Sequence, residues 1–526
     1  MKMANKRMSI TGVRTRMVIL AIMLMMCASP ALADTHNWDG KAAALSNNNW
    51  DGTVRFLGTV DNWNPNGVPG DGDTANINGL YTVTYRYNGS SLTLAAVNVS
   101  GGATLNLQSG TLKTGVLTLN STSTVNQTGT TLTAGTINLN TGGTFKRTGG
   151  ALAFTTFNHN GGTFGDLLFP ADHTLVVASG SAYAYTTNGG SFHGRLVLQS
   201  GSSASFSRDF TAANGMANST ALTFSGTRTL TLNGAGLNNQ GTIRAQSGTL
   251  TIDTSDSPSG GVTNSGTFRV DSGATMVISP SNKLSGYNMA DTFKNYNAAT
   301  STLTGGVYDI AGTLQLPLRT DNKNWLGIPY YDPQYILNNQ ATIILDGPNA
   351  LIRRDYAATE NALSNFTTND TTGVFTLKNG KAFQTVADFT NKGTVNIASG
   401  GSFTAKDGNV LKGYTNTSGA QTIMDKGSLI ANTITNNGIF SNIGAGSGNE
   451  AVFSGDFINA GTFTAVPLSS QVFTNLTINT SGAISAGAGA RFSIGNNFIN
   501  RSTDTAHWDT TQADLIFVSG TDTSHD

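Results

Sequence analysis

The chain has 526 residues, 11% of them charged and 38% hydrophobic, with 63 glycines, one cysteine and a formal net charge of zero. Ordinary soluble domains carry about 25% charged residues, so neutral Asn, Thr and Ser must keep this surface wet. With no basic excess the chain lacks the electrostatic footprint of phosphate binding, and no nucleic-acid partner is expected.

Lys2, Lys6, Arg7, Arg14 and Arg16 precede an apolar run from Met17 to Ala28, and the segment closes on Ala31-Leu32-Ala33 before Asp34. This charged, then apolar, then small-residue pattern predicts a secretory signal peptide over 1–33, and with it a secreted or outer-cell-surface protein. No later stretch approaches the roughly twenty apolar residues that a membrane-spanning helix needs, so no transmembrane segment is expected in the mature chain. Removing 1–33 takes away five of the 30 basic residues and none of the 30 acidic ones, leaving about −5. Cys27 goes with the leader. A cysteine-free exported chain must be held by packing and backbone ladders instead of disulfides.

Residues 34–76 read as an N-terminal cap. Asn37-Trp38-Asp39-Gly40, Asn49-Trp50-Asp51-Gly52 and Asn62-Trp63-Asn64-Pro65 are three copies of one motif. Aromatic residues here would close the open end of a stacked repeat, whose core and strand edges are otherwise exposed. Trp38, Trp50 and Trp63 are also carbohydrate candidates, since an indole face stacks on a sugar ring. Within Val68-Pro69-Gly70-Asp71-Gly72-Asp73, Asp71 and Asp73 are calcium candidates. The same run reads as a turn before the strand at Ile77, and it lacks the remaining spaced oxygen ligands of a calcium loop.

From 77 to 279 a twenty-residue ruler governs the chain. Ile77, Val97, Leu117, Ile137 and Phe157 stand twenty apart, as do Tyr85, Leu105, Val125 and Phe145, and Leu92, Leu112, Leu132 and Leu152. Val99, Leu119 and Leu139 follow the first series by two, the same-face spacing of a strand. Two-residue alternation broken by turn residues every six to eight positions excludes a helical repeat. A constant offset predicts stacked turns, a right-handed parallel β-helix (β-solenoid) of about twenty residues per rung, in which each series lines one interior column. An antiparallel meander would relate residues by mirrored offsets instead. Leu175 and Val177 recur as Leu196 and Leu198, at twenty-one.

Between 280 and 370 the ruler is most disturbed, and Tyr296, Trp325, Pro329, Tyr330, Tyr331, Pro333 and Tyr335 gather there. This reads as an irregular solenoid segment with long loops, the usual place for function. From 371 to 526 the solenoid resumes with N-x-G turns. Asn391, Asn436 and Asn459 repeat a signature already present at Asn239 and Asn264. Asn and Gly accept the left-handed backbone of a tight corner, and Asn side chains stacked rung on rung can hydrogen-bond along the column. At about twenty residues per rung the mature chain would form roughly 18 to 22 rungs.

Few residues carry candidate chemistry. Glu360 and Glu450 are the only glutamates, and no aspartates form the paired cluster that glycoside hydrolysis needs. Asp253, Asp271, Asp291 and Asp309 recur at nearly one rung, but each reads as a cap on its own turn instead of a member of one column. His36, His159, His173, His193, His507 and His525 show no metal-ligand spacing. The chain is therefore read as non-enzymatic and without cofactor, with a polysaccharide lyase or glycoside hydrolase kept as the alternative.

The leader, the Trp-Asp-Gly segment, the run from Asp61-Asn62-Trp63 to Asp73 and the N-x-G-T repeats together resemble large bacterial exported β-strand-repeat proteins, the passenger domains of autotransporters and related adhesins. The resemblance implies surface display with an adhesive or structural role, cell-surface or matrix partners including polysaccharide, and no catalytic residues. An autotransporter ends in a membrane barrel, whereas this chain ends in a polar run from Thr521 to Asp526. A fragment of a longer reading frame, a released protein and a partner-held one all fit that ending.

Overall fold

Strands one ruler-length apart lie directly over one another. The computed structural model describes residues 33–39, 50, 53–55, 59–61, 63–64, 67–86, 91–166, 172–185, 191–254, 260–279, 292–316, 335–354, 361–446, 450–502, 508–509 and 512–518. The chain divides into two units, Met1–Thr163 and Phe164–Asp526. Both are parallel β-solenoid, with about 17 stacked turns in all and essentially no helix among the described residues. No helix among them is long and apolar enough to cross a membrane. The predicted leader lies outside the described residues apart from Ala33.

In the first unit, Thr74–Asn78, Leu92–Ser100, Thr111–Leu119, Thr131–Asn140 and Leu152–Asn160 form one parallel sheet. Thr82–Arg86, Thr104–Ser109, Thr124–Gln127 and Thr144–Arg147 form a second. Leu92, Leu112, Leu132 and Leu152 stand in register as one column. Leu112 and Leu132 are fully buried there. Two series need correction at their first member. Ile77 pairs with Val99 and not Val97, and Tyr85 pairs with Leu107 and not Leu105, so the first step takes 22 residues. A slip of two keeps a side chain on the same face, so both residues remain fully buried and the apolar pattern alone could not reveal it.

Each long strand of the first sheet turns a corner midway. In Thr111–Leu119, inward Leu112 and Thr114 give way to inward Leu117 and Leu119. Gly115 and Gly135 occupy this corner, where a Cβ on Gly135 would lie 2.6 Å from the Gly115 carbonyl oxygen. Only glycine lets consecutive rungs approach so closely.

In the second unit a longer parallel series runs from Ala221–Phe224 through Thr242–Ala245, Thr267–Val270, Thr302–Ile310, Asn338–Asp346, Val374–Lys378 and Thr394–Ala398. It continues through Gln421–Asp425, Ile439–Asn442 and Thr462–Ala465 to Ala483–Ala486. Leu175 and Val177 pair with Leu196 and Leu198, as the spacing required. The core here is aromatic: Phe389 and Phe403 have ring centroids 4.7 Å apart, and Phe453 stacks on Phe473 at 4.8 Å.

In the 280–370 segment the pairing of Thr302–Ile310 with Asn338–Asp346 carries a register shift between Thr304 and Val307. Thr302–Ile310 and Asn338–Asp346 also pair parallel with the strands before and after them. Tyr296 donates its hydroxyl to the Tyr335 carbonyl at 3.0 Å. Trp325, Pro329, Tyr330, Tyr331 and Pro333 lie outside the described residues.

Candidate functional site

The three cap tryptophans meet in the interior. Thr35–Trp38 pairs antiparallel with Trp63–Asn64 and parallel with Thr74–Asn78, which sets Trp38 opposite Trp63. The Trp38 and Trp63 rings cross at 5.1 Å and 89°, Trp50 meets Trp63 at 4.8 Å, and Trp50 meets Tyr85 at 5.5 Å. The Trp63 indole N–H donates to the Trp50 carbonyl at 2.9 Å. Relative exposures are 4%, 1% and 0% for Trp38, Trp50 and Trp63. A ring enclosed on both faces has no surface for a sugar, so the carbohydrate reading of this trio is corrected to a packing role.

Asp71 and Asp73 act as turn-builders. Asp71 Oδ1 accepts the Thr93 amide at 2.7 Å. Asp73 accepts the Asp34 amide at 2.9 Å and the Gly70 amide at 2.8 Å, and lies 3.2 Å from His36 Nε2. Burial pushes the Asp73 carboxyl up, but the two amides and His36 outweigh it and hold the group below its usual value. Among the described residues, no three His, Cys, Asp or Glu side chains converge as a metal site. The Asp73 carboxylate is thus already occupied by three donors of the chain itself.

A buried ladder of asparagines runs through the second unit. Asn339, Asn369, Asn391, Asn416, Asn436 and Asn459 stand in one register column, all fully buried. Each Nδ2 donates to the Oδ1 of the next member, at 2.9, 2.9, 2.8, 2.9 and 2.7 Å in chain order. A shorter ladder joins Asn218, Asn239 and Asn264 at 2.8 and 2.8 Å. Spare amide hydrogens go to corner carbonyls, as from Asn391 to Gln421 O at 2.9 Å. The N-x-G signature found Asn239, Asn264, Asn391, Asn436 and Asn459 but missed Asn218, Asn339, Asn369 and Asn416. Asn369 and Asn416 have their next glycine at 373 and 419, outside the three-residue pattern.

Strand alternation turns the residues flanking each ladder asparagine outward. Asn338, Thr368, Thr390, Thr415 and Thr435 form an outward column in register beside the ladder. At its start lies an open groove of about 400 Å³, lined by Asn297, Thr300, Thr302, Thr304, Asn338, Gln340, Thr368, Asp370 and Lys392. Asn338 Nδ2 donates to Thr300 O at 2.7 Å, Gln340 Nε2 donates to Asp370 Oδ2 at 2.8 Å, and the Thr300 and Thr302 hydroxyls meet at 2.7 Å. The Gln340 amide, the Thr371 N–H and the nearby Lys392 ammonium hold the Asp370 carboxyl below its usual value against the opposing effect of burial. One carboxylate kept ionised is not the acid and base pair of glycoside hydrolysis. No single sequence motif spans this groove, although five of its lining residues, Asn338, Gln340, Thr368, Asp370 and Lys392, are the immediate neighbours of the ladder positions 339, 369 and 391.

One charge cluster bridges successive rungs. Arg244 and Arg269 are stacked in register, and Asp271 accepts from Arg244 Nε at 2.9 Å and from Arg269 Nε at 3.1 Å. Asp309 stands in register with Arg269, whereas Asp253 stands in register with Ser279 in a different sheet, so these aspartates do not share a column. Asp291 lies outside the described residues. His159 continues the apolar column of Val99, Leu119 and Leu139 and is fully buried, with Nε2–H donating to Gly162 O at 2.7 Å. His507 and His525 lie outside the described residues. Compared with protein-family models, curated proteins and solved structures, the chain matches none.

Proposed function

We propose that this chain is an exported, non-enzymatic β-solenoid with an adhesive or structural role at the cell surface or in the extracellular matrix. The observation that carries the reading is the outward column Asn338, Thr368, Thr390, Thr415 and Thr435, held rigid by the buried asparagine ladder at its back. Repeated neutral hydroxyls and amides at the strand spacing of about 4.8 Å make an extended hydrogen-bonding face without a reaction centre. Secretion follows from the leader pattern of residues 1–33.

Fractionation of cells expressing the full reading frame tests the placement, and attachment of those cells to matrix and polysaccharide surfaces tests the role. Signal outside the cell with increased attachment is expected. Retention in the cytoplasm, or steady release of new reducing or unsaturated sugar ends by purified protein, overturns it. A polysaccharide-binding variant of the reading is favoured by one observation, the polar groove at 297–392.

A further inference from the structure

We infer that the groove lined by Asn338, Gln340, Thr368, Asp370 and Lys392 binds a neutral oligosaccharide laid across successive rungs, which rests on the polysaccharide-binding reading and gives it a site. The first ground is charge. Asp370 and Lys392 are the charged residues of the described lining, and they cancel. A groove with no net charge gives a phosphate or a uronate no advantage over a neutral ligand, while it retains polar atoms for hydroxyl groups.

The second ground is the kind of polar atom left open. Asn338 and Gln340 each commit one amide N–H, to Thr300 O and Asp370 Oδ2 respectively, which fixes both side chains. Their amide oxygens then serve as acceptors, beside the Thr368 hydroxyl, which both donates and accepts, and the Lys392 ammonium, which only donates. A sugar hydroxyl needs such a mixture because it donates one hydrogen bond and accepts others. Side chains already held by internal hydrogen bonds lose little freedom on binding.

The third ground is period. Thr302, Asn338 and Thr368 stand in register on three consecutive rungs, and Thr304 stands in register with Gln340. Neighbouring rungs lie about 4.8 Å apart, comparable with the length of one pyranose unit, so successive sugars meet equivalent positions. The described lining holds no aromatic platform, so modest affinity from hydrogen bonds is expected.

Isothermal titration of the full chain with cellohexaose, maltohexaose and an oligogalacturonate of equal length tests the inference. At least one neutral hexasaccharide should bind about tenfold or more tighter than the oligogalacturonate. The double variant Gln340→Ala/Thr368→Ala should weaken that binding at least about tenfold. Thr415→Ala/Thr435→Ala, on the same outward column but outside the groove, should change it by less than about twofold. If the groove variant melts below the parent, exposed Gln340→Glu replaces it, sets a second carboxylate beside Asp370, and should weaken binding about threefold or more. Binding unaffected by the groove variants, or tightest for the oligogalacturonate, overturns the inference. Retention on an insoluble neutral polysaccharide separates the two levels. Parent and groove variant retained equally would overturn the groove and leave the polysaccharide reading standing, whereas no retention and no titration signal would overturn both.

Discussion

Replacing Asn416 by alanine tests whether the asparagine ladder holds the second unit together. The Asn416 amide donates to Asn436 Oδ1 at 2.9 Å and to Ile439 O at 3.1 Å, and its oxygen accepts from Asn391 Nδ2 at 2.8 Å and Thr422 Oγ1 at 3.2 Å. Each such bond contributes about 1 kcal/mol net, and a buried partner left unsatisfied adds about 1–3 kcal/mol. The orphaning is partial, because Asn391 keeps Gln421 O at 2.9 Å and Asn436 keeps the Gly438 amide at 3.1 Å. A loss of about 3–5 kcal/mol is therefore expected for Asn416→Ala, against less than about 0.5 kcal/mol for its outward neighbour in Thr415→Ala. Urea unfolding reads the difference, and native-state hydrogen exchange should show it concentrated in the rungs of Asn391 and Asn436, because each rung touches only its neighbours. Asn416→Asp sharpens the test. A carboxylate cannot donate to Asn436 Oδ1, and burial raises its pKa, so this variant should be weakest at neutral pH and recover on acidification. Equal effects of Asn416→Ala and Thr415→Ala, or an Asn416→Asp variant indifferent to pH, would refute the ladder's role.

His159 should make the first unit sensitive to acid. Burial pushes its pKa down to about 4 from 6.5, against the opposing pull of the Gly162 carbonyl. The unfolded chain therefore binds the extra proton first, and stability present above pH 6.5 is lost between pH 6.5 and about 4, by about 3 kcal/mol. His159→Leu, which restores the apolar column, should flatten that part of a plot of melting temperature against pH. Trp63→Ala removes a fully buried ring that touches both Trp38 and Trp50, and should cost about 3–5 kcal/mol in urea unfolding. Leu132→Asp sets a carboxylate between Leu112 and Leu152 and should cost about 4 kcal/mol or more, so an unchanged melt would refute its inward placement.

Register and apolar spacing make the fold legible in one dimension. A solenoid repeats its geometry every rung, so the Leu92, Leu112, Leu132 and Leu152 series announces a column directly. The misplaced first members, Ile77 and Tyr85, mark the limit of such reading, since an even slip preserves the face and leaves no trace in hydropathy. The asparagine ladder was half legible. Asn391 carries the corner glycine that flagged it, whereas Asn369 reaches its glycine four residues on and looks like any polar loop residue in one dimension. The groove was not legible, because Asn338, Gln340, Thr368 and Lys392 come from three rungs whose loops differ in length, and only the stack brings them together. The cap tryptophans were legible as a group, but sequence could not separate a ring buried against two others from one presented to a sugar.

Scarcity of charge follows from the same stacking. An outward side chain in a solenoid faces whatever occupies its position on the next rung, about 4.8 Å away, so a repeated charge would meet its own kind. Two pairs of opposite charge follow this rule. Asp346 stands in register with Lys378 at 3.1 Å, and Arg491 in register with Asp514 at 3.6 Å. Where two like charges do stack, at Arg244 and Arg269, Asp271 bridges them. The exposed Arg491–Asp514 pair adds little stability, and its order reflects avoidance of repulsion. Neutral hydroxyls and amides repeat without that penalty, so the residues that keep the stack free of repulsion also give its outer columns their uniform hydrogen-bonding character. In this chain, the constraint that shapes the surface for stacking is the one that suits it to a neutral, polyhydroxylated partner.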